Sequence, residues 1–272
     1  MAREKLLLLG FGNVARHLAA FYASGADSSR LVFATTRSAE HVAEIESLGI
    51  EPVLLDGTSS FERLQSLSEG SFVLVSFPPD GTTDAIISQI CKAAAKVVYI
   101  SSTGVYGGHE GIIDHLTPVD EAAEGAGGRI AAETLWLGNG NTVVLRAPAL
   151  YSADYGLHKR LASGHYKLPG DGERFTSRIH MEDLARIIDA VFLSDIECGA
   201  YPVGDVCPCT QKEIVTWLCK KFDLPFPDSI PLEKAHHTQK GNRRVDPSYL
   251  LQRLNIRLLY PSYKDGLSQL NI

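Results

Sequence analysis

Paired cysteines, long apolar runs and an excess of basic charge are all missing from this 272-residue chain. The five cysteines, Cys91, Cys198, Cys207, Cys209 and Cys219, are odd in number and scattered. That excludes a disulfide framework and predicts reduced thiols in a cytoplasm. Cys207-Pro-Cys209 is half of a metal-site pattern, but no second pair stands at ligand spacing, so no metal is expected. No stretch is apolar over the length needed to cross a bilayer. The N-terminal apolar run is short and ends in a glycine turn, which is not the pattern of a signal peptide. A net charge of −6 argues against a general nucleic-acid binder. Internal repeats and low-complexity tails are absent as well. The partners left are a small-molecule substrate and, with room for a homodimer, a second copy of the chain.

What is present is ordinary for a globular protein, at 44% hydrophobic and 21% charged residues. The length is enough for a full α/β core. The organising stretch runs from Lys5 to Leu18. Leucines end in Gly10, Gly12 and Ala15, and a helical pattern follows. In a G-x-G-x-x-A turn Gly10 permits the tight bend and Gly12 lets backbone approach a pyrophosphate. The small Ala15 lets helix and strand pack closely. Phosphates then sit on the free N–H groups at the positive end of the helix, with Asn13 and Val14 beside them.

Apolar strand patterns follow at Leu31–Arg37, Pro52–Asp56, Phe72–Phe77, Val97–Ser102 and Thr142–Arg146, with helical patterns between them. Ser38 is placed to cap the helix carrying Val42, Ile45 and Leu48. Continuous apolar strands alternating with helices predict a Rossmann-like α/β fold, a doubly wound parallel sheet with a smaller C-terminal substrate region. The expected division is a nucleotide domain over 1–150, completed by 179–205, and a substrate-binding region over 151–178 and 206–272. An amphipathic helix is expected from Met181 to Ser194, a capping box at Thr210-Gln-Lys-Glu213, and a last short helix from Pro247.

In open sheets of this kind ligands lie beyond the C-terminal ends of the strands. The cofactor candidates are therefore Gly10, Gly12, Asn13, Val14, Ala15, Thr36, Arg37, Ser38, Asp56, Ser76, Phe77, Pro78 and Ser101. NAD-specific sites usually have an acid after the second strand; here Thr35-Thr-Arg37 stands instead. A guanidinium grips a 2′-phosphate by two hydrogen bonds, so NADP(H) is expected over NAD(H), with Arg37 as its reader.

Ser101-Ser-Thr-Gly-Val-Tyr-Gly107 resembles the S-S-x-x-V-Y-G stretch of the NAD(P)-dependent epimerase/dehydratase family of extended short-chain dehydrogenases/reductases. Thr117–Glu121, Leu145–Tyr151, Arg178–Asp183, Tyr201–Asp205 and Asn242–Pro247 are similar to further family segments, in the family's order. The resemblance implies an oxidoreductase or epimerase-like enzyme on a small or sugar-like substrate. It also implies catalysis by a Ser/Thr, a Tyr and a Lys four residues after the Tyr. The Ser/Thr position falls on Ser102. At the other two this chain has Gly125 and Arg129, and no tyrosine lies between Gly107 and Leu150.

General acid–base help is worth about 10²–10⁴-fold, so the loss matters. Arg129 either holds the nicotinamide ribose, beside Ser101, or is a surface residue at a helix start. Tyr151, Tyr106, His109 and His158 are the substitute proton donors the pattern offers. Thr103, Tyr106, Tyr151, His158, Arg178 and His180 are the candidates for substrate contact. His236-His237 and Arg243-Arg244 read as solvated surface. Two functions stay open: an NADP-dependent enzyme with altered proton chemistry, and a non-catalytic NADP(H)-sensing or regulatory protein.

Overall fold

The computed structural model describes residues 4–26, 30–56 and 58–270. Lys5–Leu9 (β1) is a run of leucines with no polar face, and Leu6 to Leu9 are each 1% exposed or less. The chain then alternates through Asn13–Phe21 (α1), Leu31–Thr36 (β2), Glu40–Ser47 (α2) and Glu51–Leu54 (β3). Thr58–Ser68 (α3), Phe72–Val75 (β4), Thr82–Ile90 (α4) and Lys96–Ser102 (β5) continue the pattern. Gly127–Leu137 (α5) leads to Thr142–Ala147 (β6). Leu157–Ala162 (α6) and Met181–Leu193 (α7) precede Gly199–Pro202 (β7).

These strands form one seven-stranded parallel sheet in the order β7-β6-β5-β4-β1-β2-β3, flanked by helices. Leu7 pairs with Phe33 on one side and with Val73 on the other. The order reverses between β1 and β4. Loops leaving two adjacent parallel strands in opposite directions open a crevice there, which is where such sheets bind ligands.

Two compact units divide the chain. The first comprises Met1–Ser101, Ala131–Leu145 and Ala185–Ala200. Its core includes Leu7, Val73, Val97, Tyr99 and the fully buried Trp136, whose indole N–H donates to Asp84 at 2.9 Å. The second comprises Ser102–Ile130, Arg146–Leu184 and Tyr201–Ile272. Residues 102–130 thus cluster with the second unit rather than with the sheet.

The second unit is built from Gln211–Phe222 (α8), Ser248–Arg253 (α9), Tyr263–Leu267 (α10) and short two-stranded ladders. The capping box predicted at Thr210 and Glu213 starts α8. The helix after Pro247 is not the last, because α10 follows with its own capping box, Ser262 and Asp265. Ser38 is also not the cap of α2. Ala39 holds that position, and Ser38 Oγ accepts the Glu40 N–H at 3.3 Å. Among the described residues no helix is long and apolar enough to cross a membrane, and no group of three His, Cys, Asp or Glu side chains is placed to hold a metal.

Candidate functional site

In the first unit the glycine turn is built by its neighbours. Gly10 has φ +84°, a region that costs glycine nothing and other residues much. Its N–H donates to Thr35 Oγ1 at 2.9 Å, and its carbonyl accepts the Ser76 hydroxyl at 2.9 Å. A Cβ at Gly10 would stand 3.1 Å from the Phe77 backbone nitrogen, tighter than an ordinary contact and in a backbone conformation that L side chains rarely adopt. Gly12 differs: a Cβ there would meet no protein atom within 4 Å. The space over Gly12 is open, at the N-cap of α1, whose first turn carries no side-chain cap. Those uncapped N–H groups suit a phosphate. A dinucleotide therefore fits the residues present.

Asn13 is exposed beside Gly12, while Val14 and Ala15 are buried under the turn. At the end of β2, Thr36 is buried and Arg37 exposed. Arg37 has no hydrogen-bond partner among the described residues. Asp80 titrates below the ordinary carboxylate range, first through hydrogen bonds from Thr83 and in smaller part through the nearby Arg37 charge. Asp56 and Pro78 are exposed just past β3 and β4. Ser101 is buried and donates to Glu133, a buried carboxylate on α5.

The second unit holds a cavity of about 530 Å³. Ser102 and Thr103 line it, with Tyr151, His158, Arg178 and Arg243. Of the residues predicted to contact substrate, Thr103, Tyr151, His158 and Arg178 line this cavity together with Ser102, while Tyr106 and His180 lie outside the lining. Tyr106 is fully buried with Val105, Ile113 and Val245, and its hydroxyl accepts from Arg146 at 3.2 Å. His180 accepts the Glu182 N–H at 3.2 Å near the start of α7 and packs between Tyr151 and Tyr260.

Two of the candidate proton donors are tied down. Tyr151 is 3% exposed and donates to the Ser262 carbonyl at 3.2 Å. Burial, with the Asp205 charge adding to it, pushes its phenol well above the ordinary value, away from proton exchange near neutrality. His158 is fully buried, with Nε2 held by the Ala153 carbonyl at 3.0 Å. Burial lowers its pKa, which keeps the ring neutral. Ser102 Oγ makes one hydrogen bond among the described residues, accepted from the Gly104 N–H at 3.0 Å. Gly125 has φ +72°, and a Cβ on it would stand 3.2 Å from the His237 ring nitrogen Nε2. Arg129 is half-buried in the first turn of α5.

Arg243 was expected at a solvated surface and is not there. Asn242–Val245 forms a strand paired in parallel with Glu110–Ile113. Val245 is buried in the apolar cluster, and Arg243, two residues before it, shares its face and lines the cavity. Its guanidinium donates to the Gly107 carbonyl, and burial lowers its pKa. The period-two relation to Val245 was the available signal, hidden by a polar segment with a single apolar residue. Arg178, 5% exposed, donates to Cys209 Sγ at 3.4 Å and lies over the Tyr263 ring at 5.0 Å. Neither arginine has an ion-pair partner among the described residues.

Asp205 feels the charge of Arg178. It is fully buried, its Oδ1 accepts the Cys207 N–H at 3.2 Å, and its Oδ2 has no hydrogen-bond partner among the described residues. Burial raises its pKa to about 7, against the opposing pull of Arg178. The folded state thus binds this proton more tightly than the unfolded chain does. The stability from that proton is complete below about pH 4 and is lost as the pH rises through about 7. Asp205→Asn removes this dependence. Between pH 4.5 and 8 the wild type should lose on the order of 2–4 kcal/mol relative to the variant in denaturant titrations. A difference that moves the other way would refute the assignment.

No protein-family model matches the chain, and no curated protein does. Solved structures match over nearly its whole length. A conserved protein of unknown function from Silicibacter pomeroyi is 26% identical, with a TM-score of 0.78 and 97% of each chain covered. ADP-L-glycero-D-manno-heptose-6-epimerase from Helicobacter pylori is 19% identical at a TM-score of 0.77, covering 98% of this chain and 96% of its own. UDP-glucuronic acid 4-epimerase from Bacillus cereus, in complex with UDP-glucuronic acid and NAD, is 17% identical at a TM-score of 0.77. It covers 97% of this chain and 96% of its own. The structural neighbours are NAD-dependent epimerases/dehydratases and other extended short-chain dehydrogenases/reductases, and the chain has their Rossmann-like fold.

Proposed function

We propose that the protein is a nicotinamide-dependent oxidoreductase or epimerase-like enzyme that acts on a small, anionic, sugar-like substrate and prefers NADP(H). The observation that carries this reading is the glycine turn, where Gly12 opens onto free space at an uncapped helix start. Gly10, Gly12, Asn13 and the first turn of α1 hold the pyrophosphate. Thr36, Arg37 and Ser38 take the adenosine ribose end, Asp56 the adenine, and Ser76, Phe77 and Pro78 the far wall. When bound, the cofactor supplies hydride acceptance or donation. Ser102 orients and polarises the substrate oxygen by hydrogen bonding. Arg178 and Arg243 bind the substrate's anionic group: both line the cavity, neither makes an ion pair among the described residues, and Asp205 beside Arg178 is raised toward its neutral form, which leaves room for a bound anion.

NADP(H) preference rests on Arg37 and on the absence of an acid at the end of β2. Arg37→Ala should weaken NADPH binding about 10-fold or more, as expected for one lost charged hydrogen-bonding partner, and leave NADH binding nearly unchanged. Fluorescence titration with both cofactors reads this directly. Equal affinities in the wild type would overturn the preference.

One observation favours a second reading, a non-catalytic NADP(H) sensor: no phenol is bonded to Ser102, and Gly125 stands where the resemblance places a tyrosine. NADPH oxidation followed across a panel of nucleotide-sugar and sugar-phosphate substrates separates the two. A protein that binds NADPH tightly and shows no turnover with any of them is the sensor.

A further inference from the structure

Beside the main cavity, the second unit has a smaller one of about 370 Å³. It is lined by Arg160, Gly164, His165, Lys167, Ile230 and Gln239. Half of these residues are basic and none is acidic. Arg160 and Gln239 also line the main cavity, so the two share a wall. Lys159, next to Arg160 in the last turn of α6, adds a further cation to the main cavity's side of that wall.

The charges here are not neutralised from within. Arg160 lies over the Tyr166 ring at 5.3 Å, and its guanidinium makes no hydrogen bond or ion pair among the described residues. Among the described residues neither Arg160, Lys167 nor Lys159 makes an ion pair. The chain as a whole is acidic, at −6. Clustered like charges repel one another, and a concave surface focuses their field on whatever enters it.

The fold holds the cluster in place from below. Tyr166 and Leu168 are buried, and they alternate with the exposed His165 and Lys167, as a strand leading into the Leu168–Pro169 ladder requires. His165 Nδ1 is fixed against Ser163 Oγ at 3.0 Å. Ile230, paired with Pro169, supplies the apolar floor.

We propose that this smaller cavity is a second anion-binding subsite, formed by Arg160, His165 and Lys167. It extends the main cavity, so that the ligand of the second unit carries two separate anionic groups, phosphate or carboxylate. The inner group meets Arg178 and Arg243, and the outer one meets Arg160, His165 and Lys167. The two-ended ligand rests on the function proposed above; the outer anion site itself does not.

The test is calorimetric titration with inorganic pyrophosphate of the full chain in excess NADPH, which occupies the glycine turn and leaves only the second unit's sites free. The variants are Arg160→Ser/Lys167→Ser for the outer site, Arg243→Ala for the inner site, and Lys221→Ser as a remote control. The expected result is two binding events in the wild type. The outer double variant loses one of them, with at least a 10-fold rise in its dissociation constant, and keeps the other. Arg243→Ala does the reverse, and the control changes neither. Loss of the inner event alone in the wild type would remove the proposed substrate site and leave the outer subsite standing. The outer subsite is overturned if the outer double variant binds as the wild type does, if the control weakens binding equally, or if pyrophosphate does not bind. All these substitutions except Arg243→Ala are at exposed positions, and circular dichroism checks that each variant is folded.

Discussion

Gly12→Val is expected to fold normally and to lose NADP(H) binding, with the dissociation constant raised about 100-fold or more, equivalent to about 2.7 kcal/mol. The two halves of that expectation come from the same geometry. A Cβ at Gly12 meets no protein atom within 4 Å, and its φ of −88° is open to any residue, so nothing in the folded chain resists the substitution. The added isopropyl group then fills the space that a pyrophosphate needs to reach the N–H groups of α1. Gly10→Val would be a poor test of the same idea. Gly10 has φ +84° and presses on Phe77, so that variant would lose binding through misfolding. Isothermal titration with NADPH, alongside a thermal melt, separates the two effects. A Gly12→Val protein that melts like the wild type and binds NADPH equally well would place the nucleotide elsewhere.

Gly107→Ala should be the most damaging small substitution in the second unit, costing about 2–4 kcal/mol of stability from strain and overpacking together. Gly107 follows the short turn that begins at Ser102 and has φ +48° with ψ −120°, which L-residues avoid. A methyl group there would also collide with the Asp120 carboxylate and the Ala123 side chain. Those neighbours cannot simply retreat. Asp120 accepts the Gly108 N–H at 3.1 Å and donates its own N–H to Val105 at 2.8 Å. The Gly107 carbonyl moreover receives the Arg243 guanidinium. The variant should therefore show both a lower melting temperature and weaker pyrophosphate binding. A melting temperature within a degree or two of the wild type would mean that the loop relaxes freely and that the glycine is not required by its backbone.

Much of this was legible in the residues. Short-range patterns act locally, so they survive being read one window at a time. The leucine run, the small residues of the turn and the alternation of strand and helix gave the sheet without any tertiary information. The capping box at Thr210 was equally plain, because a side chain three residues away satisfies the same backbone groups in any context. The stretch Ser101–Gly107 marked the end of β5, and Ser102 does line the cavity.

Tertiary structure decided what depends on residues far apart in the chain. Arg243 is carried to the cavity by a strand whose partner, Glu110–Ile113, lies more than a hundred residues earlier. Its own segment is too polar to announce burial. Tyr151 was one candidate for the missing acid, and the Ser262 carbonyl, remote in sequence, holds its hydroxyl. His158 was likewise removed from the list by burial, which keeps its ring neutral. The clustering of 102–130 with the later segments also rests on such distant pairings. The sequence by itself determined which local structures form, since hydrophobic period and backbone chemistry are properties of neighbouring residues. Which charges are desolvated, and which donors remain available for chemistry, only the folded chain decided, because desolvation depends on everything packed around a group.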